Sequence, residues 1–179
     1  MSSPPTPAQA SALGSAPAKA GLILTVLILG ATVANINTSI SNVALPSIAS
    51  ALNATDTELT GITDAYQLGI AATVLYLGAV GDRYGRKGML LLGALLCVPF
   101  SLASAWSPNA VFLIVAQIAV GVAGGMLYPT TLSMITALWR GKKLTGAIAL
   151  WTGLGTGASV LGPIMGGYLL DNYWWGSVF

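Results

Sequence analysis

Gly78-Ala79-Val80-Gly81-Asp82-Arg83-Tyr84-Gly85-Arg86-Lys87-Gly88 lies between two long apolar runs and packs four charges and four glycines into eleven residues. Such a stretch reads as a tight turn joining two helices. Glycine tolerates backbone angles that other residues avoid and lets helix ends approach closely. The arginines and the lysine also fit a plain positive-inside anchor at a membrane surface.

Outward from this turn the chain is membrane-like. Of its 179 residues, 55% are hydrophobic and only 7% charged, whereas soluble domains carry about a quarter charged residues. There is no histidine and a single cysteine, Cys97, so neither a disulfide framework nor a cysteine–histidine metal site can be assembled, and no metal or cofactor is expected. A polytopic membrane enzyme would need a nucleophile, a metal set or paired acids, and little is present to build one. The small net charge of +2 gives no reason to expect a nucleic-acid partner. Residues 1–20, rich in Ser, Pro and Ala, read as a disordered tail.

About 20 apolar residues cross a bilayer as a helix. Five runs meet that length, at about 20–46, 59–80, 88–106, 110–135 and 144–170. The first holds a polar cluster in its second half: Asn35, Asn37, Thr38, Ser39, Ser41 and Asn42. In hydrocarbon such groups must face other helices or a wet cavity, and both readings, inter-helix glue and cavity lining, stand. The second run contains Asp64, the one acid inside an apolar run, either a functional carboxylate or a group served by water near the outer end. The third holds Pro99, which predicts a kink. The fourth holds Gly121 and Gly125, spaced for a close helix contact. All seven basic residues fall before the first run or in the second and fourth loops, while Asp56, Glu58 and Asp171 lie on the other side. The amino terminus and the basic loops are therefore expected in the cytoplasm, with Tyr168, Tyr173, Trp174 and Trp175 as an outer aromatic belt and Trp139 at the inner interface. The fold class is all-α, a polytopic transmembrane helical bundle.

The order Gly78-x-x-x-Asp82-Arg83-x-Gly85-Arg86-Lys87 resembles the loop between helices 2 and 3 of the major facilitator superfamily of secondary transporters; Val80 and Gly81 stand where leucine and alanine are usual. In the fifth run, Gly157 and the sequence Gly162-Pro163-Ile164-Met165-Gly166-Gly167 resemble the antiporter motif of that superfamily's drug/proton antiporters. Asn42-Val43-Ala44-Leu45-Pro46, Pro129-Thr130-Thr131-Leu132 and the run from Tyr173 to Phe179 look like the group with fourteen helices. The resemblance implies a major facilitator fold, of which this chain would supply the first five helices of the amino-terminal six-helix half. On that reading it is an amino-terminal fragment or an early-terminated product that lacks its carboxy-terminal half.

The function implied is secondary active efflux of small, amphipathic or drug-like compounds by proton antiport and alternating access, with the proton gradient as energy source and the lipid bilayer of the cell membrane as its setting. The loop formed by Gly78, Asp82, Arg83, Gly85, Arg86 and Lys87 would be a cytoplasmic latch. Asn37, Asn42, Asp64, Gln117 and Tyr128 would line the substrate or proton pathway. Two departures matter: Asn37 and Gln117 stand where the family usually has an aspartate and an arginine. They are expected to lie close together, joined by a hydrogen bond in place of an ion pair, which leaves Asp64 as the remaining candidate proton carrier. A uniporter or symporter of the same superfamily, or a truncated protein that transports nothing, are the alternatives.

Overall fold

The computed structural model describes residues 20–179; the expected tail, with Lys19, lies outside the described residues apart from Ala20, which opens the first helix. In order come α1 (Ala20–Leu52), α2 (Asp56–Tyr84), α3 (Arg86–Ala105), α4 (Ala110–Leu138) and α5 (Gly141–Gly157). A 3-10 turn at Ala158–Val160, α6 (Leu161–Asn172) and a closing 3-10 turn at Trp175–Val178 complete the chain. No strand occurs among the described residues. Segments α5 and α6 run on as one rod, Gly141–Asn172, which is the fifth span.

The helices run past the apolar segments. The chain between Ser47 and Glu58, expected as a loop, is helical except at its centre, because Pro46 sits inside α1 without ending it. α1 stops where Asn53 takes a left-handed backbone, φ 49°, a conformation asparagine tolerates. Thr55 then starts α2 with a reciprocal cap: its hydroxyl accepts from the Glu58 amide, and Glu58 accepts from the Thr55 amide at 2.8 Å. That carboxylate is held below its ordinary pKa, first by the Thr55 backbone N–H and then by the Thr55 hydroxyl. The charged hairpin is shorter than expected. Only Gly85, at φ 113°, interrupts the helices, so Asp82 and Arg83 end α2 while Arg86 and Lys87 begin α3.

Four segments, Gly21–Leu52, Arg86–Ala105, Ala110–Leu138 and Gly141–Asn172, are long and apolar enough to span a membrane. α2 is not among them, since Asp56, Glu58, Asp64, Gln67 and Asp82 dilute its hydropathy. α4 is the floor of the bundle: 61% of its most apolar window is buried, against 22% or less in the other three. A helix apolar all round belongs in the centre.

Glycines set how closely α2 and α3 lie against α4. A β-carbon at Gly121 would strike the Tyr66 carbonyl and stand 3.0 Å from Gly69 Cα; one at Gly125 would meet Thr73 Oγ1 at 2.6 Å; one at Gly93 would meet Met126 Cβ at 2.9 Å. The apolar core is split. Ile40, Ala44, Ile48, Ile62, Ala110, Leu113 and Val178 fill one end, while Leu27, Ile135, Trp139 and Ala147 fill the end that carries the basic turns. Trp139, expected at the interface, is a core residue with 6% exposure. Between the two clusters lies the polar layer.

Candidate functional site

The polar layer of α1 is mostly satisfied by α1 itself. Asn35 Nδ2 donates to the Ala31 carbonyl at 2.9 Å, Ser41 Oγ to Asn37 at 2.7 Å, and Asn42 Nδ2 to Thr38 at 2.9 Å. Bonds back to the preceding turn let polar side chains survive in a membrane helix without a partner helix. They are therefore not glue. Ser39 is different: its hydroxyl crosses to the Ser159 carbonyl at 2.8 Å. Ser159 lies four residues before Pro163, and proline has no N–H to give to that carbonyl. The bond thus adds a donor where the proline supplies none, beside a contact from the Leu161 N–H, at the 3-10 turn that joins α5 to α6.

The glycines of the same motif seat this joint. A β-carbon at Gly162 would lie 2.6 Å from Ser39 Cβ, and one at Gly166 would lie 2.9 Å from Ile40 Cγ1. Gly157 meets nothing, Pro163 is exposed, and Gly167, half-buried, has open space where a β-carbon would be. The motif therefore has two faces, one locked on α1 and one turned outward.

Where α1, α2, α4 and the 3-10 turn converge, a groove of about 700 Å³ opens, lined by Asn35, Thr38, Ser39, Tyr66, Gln67, Tyr128 and Ser159 with an apolar wall of Ile70, Ala71 and Val74. Of the five pathway residues expected from the sequence, Tyr128 alone is on this lining. Asn42 and Asp64 are exposed outside it. Asn37 lies about 100° round α1 from Thr38 and lines a separate small pocket. Gln117, 1% exposed, is buried in α4. The expected hydrogen bond between Asn37 and Gln117 is absent: Asn37 Oδ1 and both amide atoms of Gln117 are buried without partners. Glutamine is shorter than the arginine it replaces, and nothing in the bundle draws the two neutral amides together.

At the basic end the hairpin is anchored on α4. Arg86 Nε pairs with Asp82 Oδ1 at 2.9 Å across Gly85, Arg86 Nη1 donates to the Ser133 carbonyl at 2.8 Å, and the Ser133 hydroxyl donates to Asp82 at 3.2 Å. Gly78 and Gly81 let α2 settle beside Pro129 and Thr130. Arg83 lies over the Tyr84 ring, 5.6 Å from its centre, and Lys87 borders an apolar furrow with Leu22, Leu90 and Met134.

The model of the Major Facilitator Superfamily matches residues 4–179. The chain belongs to that superfamily. It is 37% identical over 159 residues to the methyl viologen resistance protein SmvA of Salmonella typhimurium, covering 88% of this chain and 32% of that protein. It is 38% identical over 164 residues to the multidrug efflux pump LfrA of Mycolicibacterium smegmatis, covering 91% and 32%. A methylenomycin A resistance protein of Bacillus subtilis is 32% identical over 158 residues, covering 88% and 34%. The chain spans about a third of the length of these curated relatives.

Tyr66, Gln67 and Ser159 are the lining residues that sequence reasoning missed. Tyr66-Gln67, close behind Asp64 in an otherwise apolar run, is the signal that marks the groove-facing side of α2. For Ser159 the signal is its position four residues before Pro163.

Proposed function

We propose that this chain provides the amino-terminal helices of a secondary transporter that exports small amphipathic or cationic compounds by proton antiport. The observation that carries the reading is the groove: hydrogen-bonding groups from three helices and the 3-10 turn, set over an apolar wall, between two apolar core clusters. A site near the bilayer midplane, built at helix interruptions, is the arrangement secondary transporters use. The relatives named for resistance to methyl viologen and methylenomycin and for multidrug efflux favour cationic or drug-like cargo. A second helical bundle would close the groove and rock against this one. The basic turns would face the cytoplasm of a cell whose plasma membrane holds the protein. Asp82, 58% exposed at its side chain, would hold the outward-facing state through contacts with that second bundle, while Arg86 and Ser133 fix its position.

The test is transport by the complete protein in proteoliposomes, with methyl viologen as probe. Antiport predicts that an inward proton gradient drives export and that collapsing the gradient stops it. Movement down the cation's own gradient regardless of pH would instead establish uniport, and movement in the direction of the protons would establish symport. Two observations favour that second reading: the neutral Asn37 and Gln117, and the exposed position of Asp64 outside the groove. Asp82→Asn should reduce transport without reducing insertion, and normal transport by that variant would remove the latch.

A further inference from the structure

Behind the groove lies a second, smaller pocket of about 40 Å³, lined by Asn37, Tyr66, Cys97, Ser101, Val120 and Gly124 among others. Tyr66 is the one residue that lines both spaces. Its ring is 5% exposed, its hydroxyl reaches the Ala34 carbonyl at 3.4 Å, and it packs closely on Gly124, where a β-carbon would stand 3.1 Å from the phenolic oxygen. Asn37, which lines the same pocket, has its Oδ1 buried and without a partner. A buried acceptor is costly to leave unpaired, and the pocket has room for water, which needs roughly 10–15 Å³ of such space.

We propose that the small pocket is a subsite of the groove, with Tyr66 as its door and Asn37 as its acceptor, and that it takes a small O–H or N–H donor. At rest the donor is water; with the door turned outward it is the amine or hydroxyl end of a cargo molecule. Tyr66 thereby becomes a specificity-determining residue, since the ring decides whether cargo meets a flat wall or a polar recess. The proposal rests on reading the groove as the cargo site, but its test does not require transport.

Cys97 is the only cysteine in the chain, lines the pocket and is half-buried, so a change in its labelling rate between the parent and the variants, rather than the rate itself, reports access through the door. With the chain reconstituted in lipid vesicles, 2-aminoethyl methanethiosulfonate forms a disulfide with the thiol and releases methanesulfinate, and mass spectrometry gives the rate. Tyr66→Ala should raise that rate about tenfold or more, because accessibility governs thiol reaction. Tyr66→Phe, which keeps the ring, should stay within about twofold of the parent. Gly124→Leu, whose branched side chain claims the space of the phenol where a methyl would only shift it by a few tenths of an ångström, should raise the rate by a smaller factor than Tyr66→Ala. Asn37→Leu should lower the rate of the ammonium reagent relative to neutral methyl methanethiosulfonate by about threefold, the scale of one hydrogen bond. An unchanged rate in Tyr66→Ala overturns the door, and an unchanged reagent ratio in Asn37→Leu overturns the acceptor. If Tyr66→Ala loses its helical circular dichroism spectrum, Gly124→Leu decides in its place, and an unchanged rate there overturns the door. An inactive complete transporter with the expected labelling pattern would count against the groove as a cargo site and leave the door standing.

Discussion

The crossing of α2 with α4 and the crossing of α1 with α6 both bring a helix onto glycines, yet they serve different ends. At the first, Gly69 and Gly121 put backbone against backbone and Gly125 receives Thr73 Oγ1, along unbroken stretches of both helices; the hydrogen bond that does join these helices, Ser133 to Asp82, lies apart from the glycines, at the basic end. At the second, Gly162 and Gly166 receive Ser39 and Ile40 beside a 3-10 turn, and a side chain bonds a carbonyl to which a proline gives no donor. At its glycines the first crossing is a floor held by shape. The second is a joint, and it borders the groove. Small residues give close packing in both, but only where proline interrupts the ladder does the packing also supply a donor to a backbone group.

The floor should be the less forgiving of the two. Gly121→Val puts a branched side chain against the Tyr66 backbone, which cannot swing aside as a flexible side chain can. A loss at or beyond the upper end of the about 1–3 kcal/mol typical of overpacking is expected, read as thermal unfolding in detergent. If Gly121→Val is milder than the equivalent change at Gly162, the ranking of floor over joint is wrong.

At the joint the obstacle is itself a side chain. Gly162→Ala should cost about 1–3 kcal/mol, because its new methyl meets Ser39 Cβ and Oγ at 2.6 and 2.7 Å. Ser39→Gly removes both atoms and leaves only Ile40 N at 3.1 Å, so the double variant should recover most of the packing part of that loss. No such partner change exists for Gly121, whose neighbours are main chain, and rescue at one crossing but not the other is the sharpest test of the contrast. Ser39→Ala alone should cost about 0.5–1.5 kcal/mol, the scale of one hydrogen bond, because the Ser159 carbonyl is half-buried and also meets the Leu161 N–H. A negligible loss would mean that water or the Leu161 N–H serves the Ser159 carbonyl and that the joint, like the floor, is held by shape.

Much of this contrast was legible beforehand. Gly121 and Gly125 announced a close contact by spacing alone, and Gly162 and Gly166 did the same around Pro163. What spacing does not name is the partner: that α2 covers the first pair and Ser39 the second follows from how the helices pack. The groove was harder to read for the same reason. Asn35, Thr38 and Ser39 share a face that the helical period picks out, whereas Asn37, two residues away from Asn35, points into a different space. The pairing expected between Asn37 and Gln117 was transferred from the charges usual at those positions, and neutral amides lack the long-range attraction that draws opposite charges together. Hydropathy also misplaced the ends of α1 and α2, because polar residues at a membrane surface extend a helix as readily as they end it. The Thr55-x-x-Glu58 spacing is the cap signal that fixes the start of α2.

That cap supplies the smallest effect, and it separates the two crossings by pH. Glu58 accepts the Thr55 N–H in the folded chain, which lowers its pKa below the ordinary carboxylate value of 4.5. The folded state therefore binds this proton less readily than the unfolded one. Its stabilising contribution is complete above the ordinary value and is lost as pH falls through the lowered folded value. Acidification should loosen the first turn of α2 and, through it, the Thr55 end of the α2–α4 floor, while the α1–α6 joint, which relies on a hydroxyl and a carbonyl, should not respond. Hydrogen exchange resolves the two: amides at Glu58 and Leu59 should lose protection as the pH drops below that range, while those flanking Gly162 should keep theirs. Thr55→Ala should produce the same local loosening at neutral pH, at a cost of about 0.5–2 kcal/mol, and should weaken the acid response without abolishing it, because the residue-55 N–H, the larger cause of the lowered Glu58 pKa, remains. Equal loss of protection at both crossings on acidification would mean that they unfold as one unit, and the distinction between floor and joint would then be one of geometry without a counterpart in local stability.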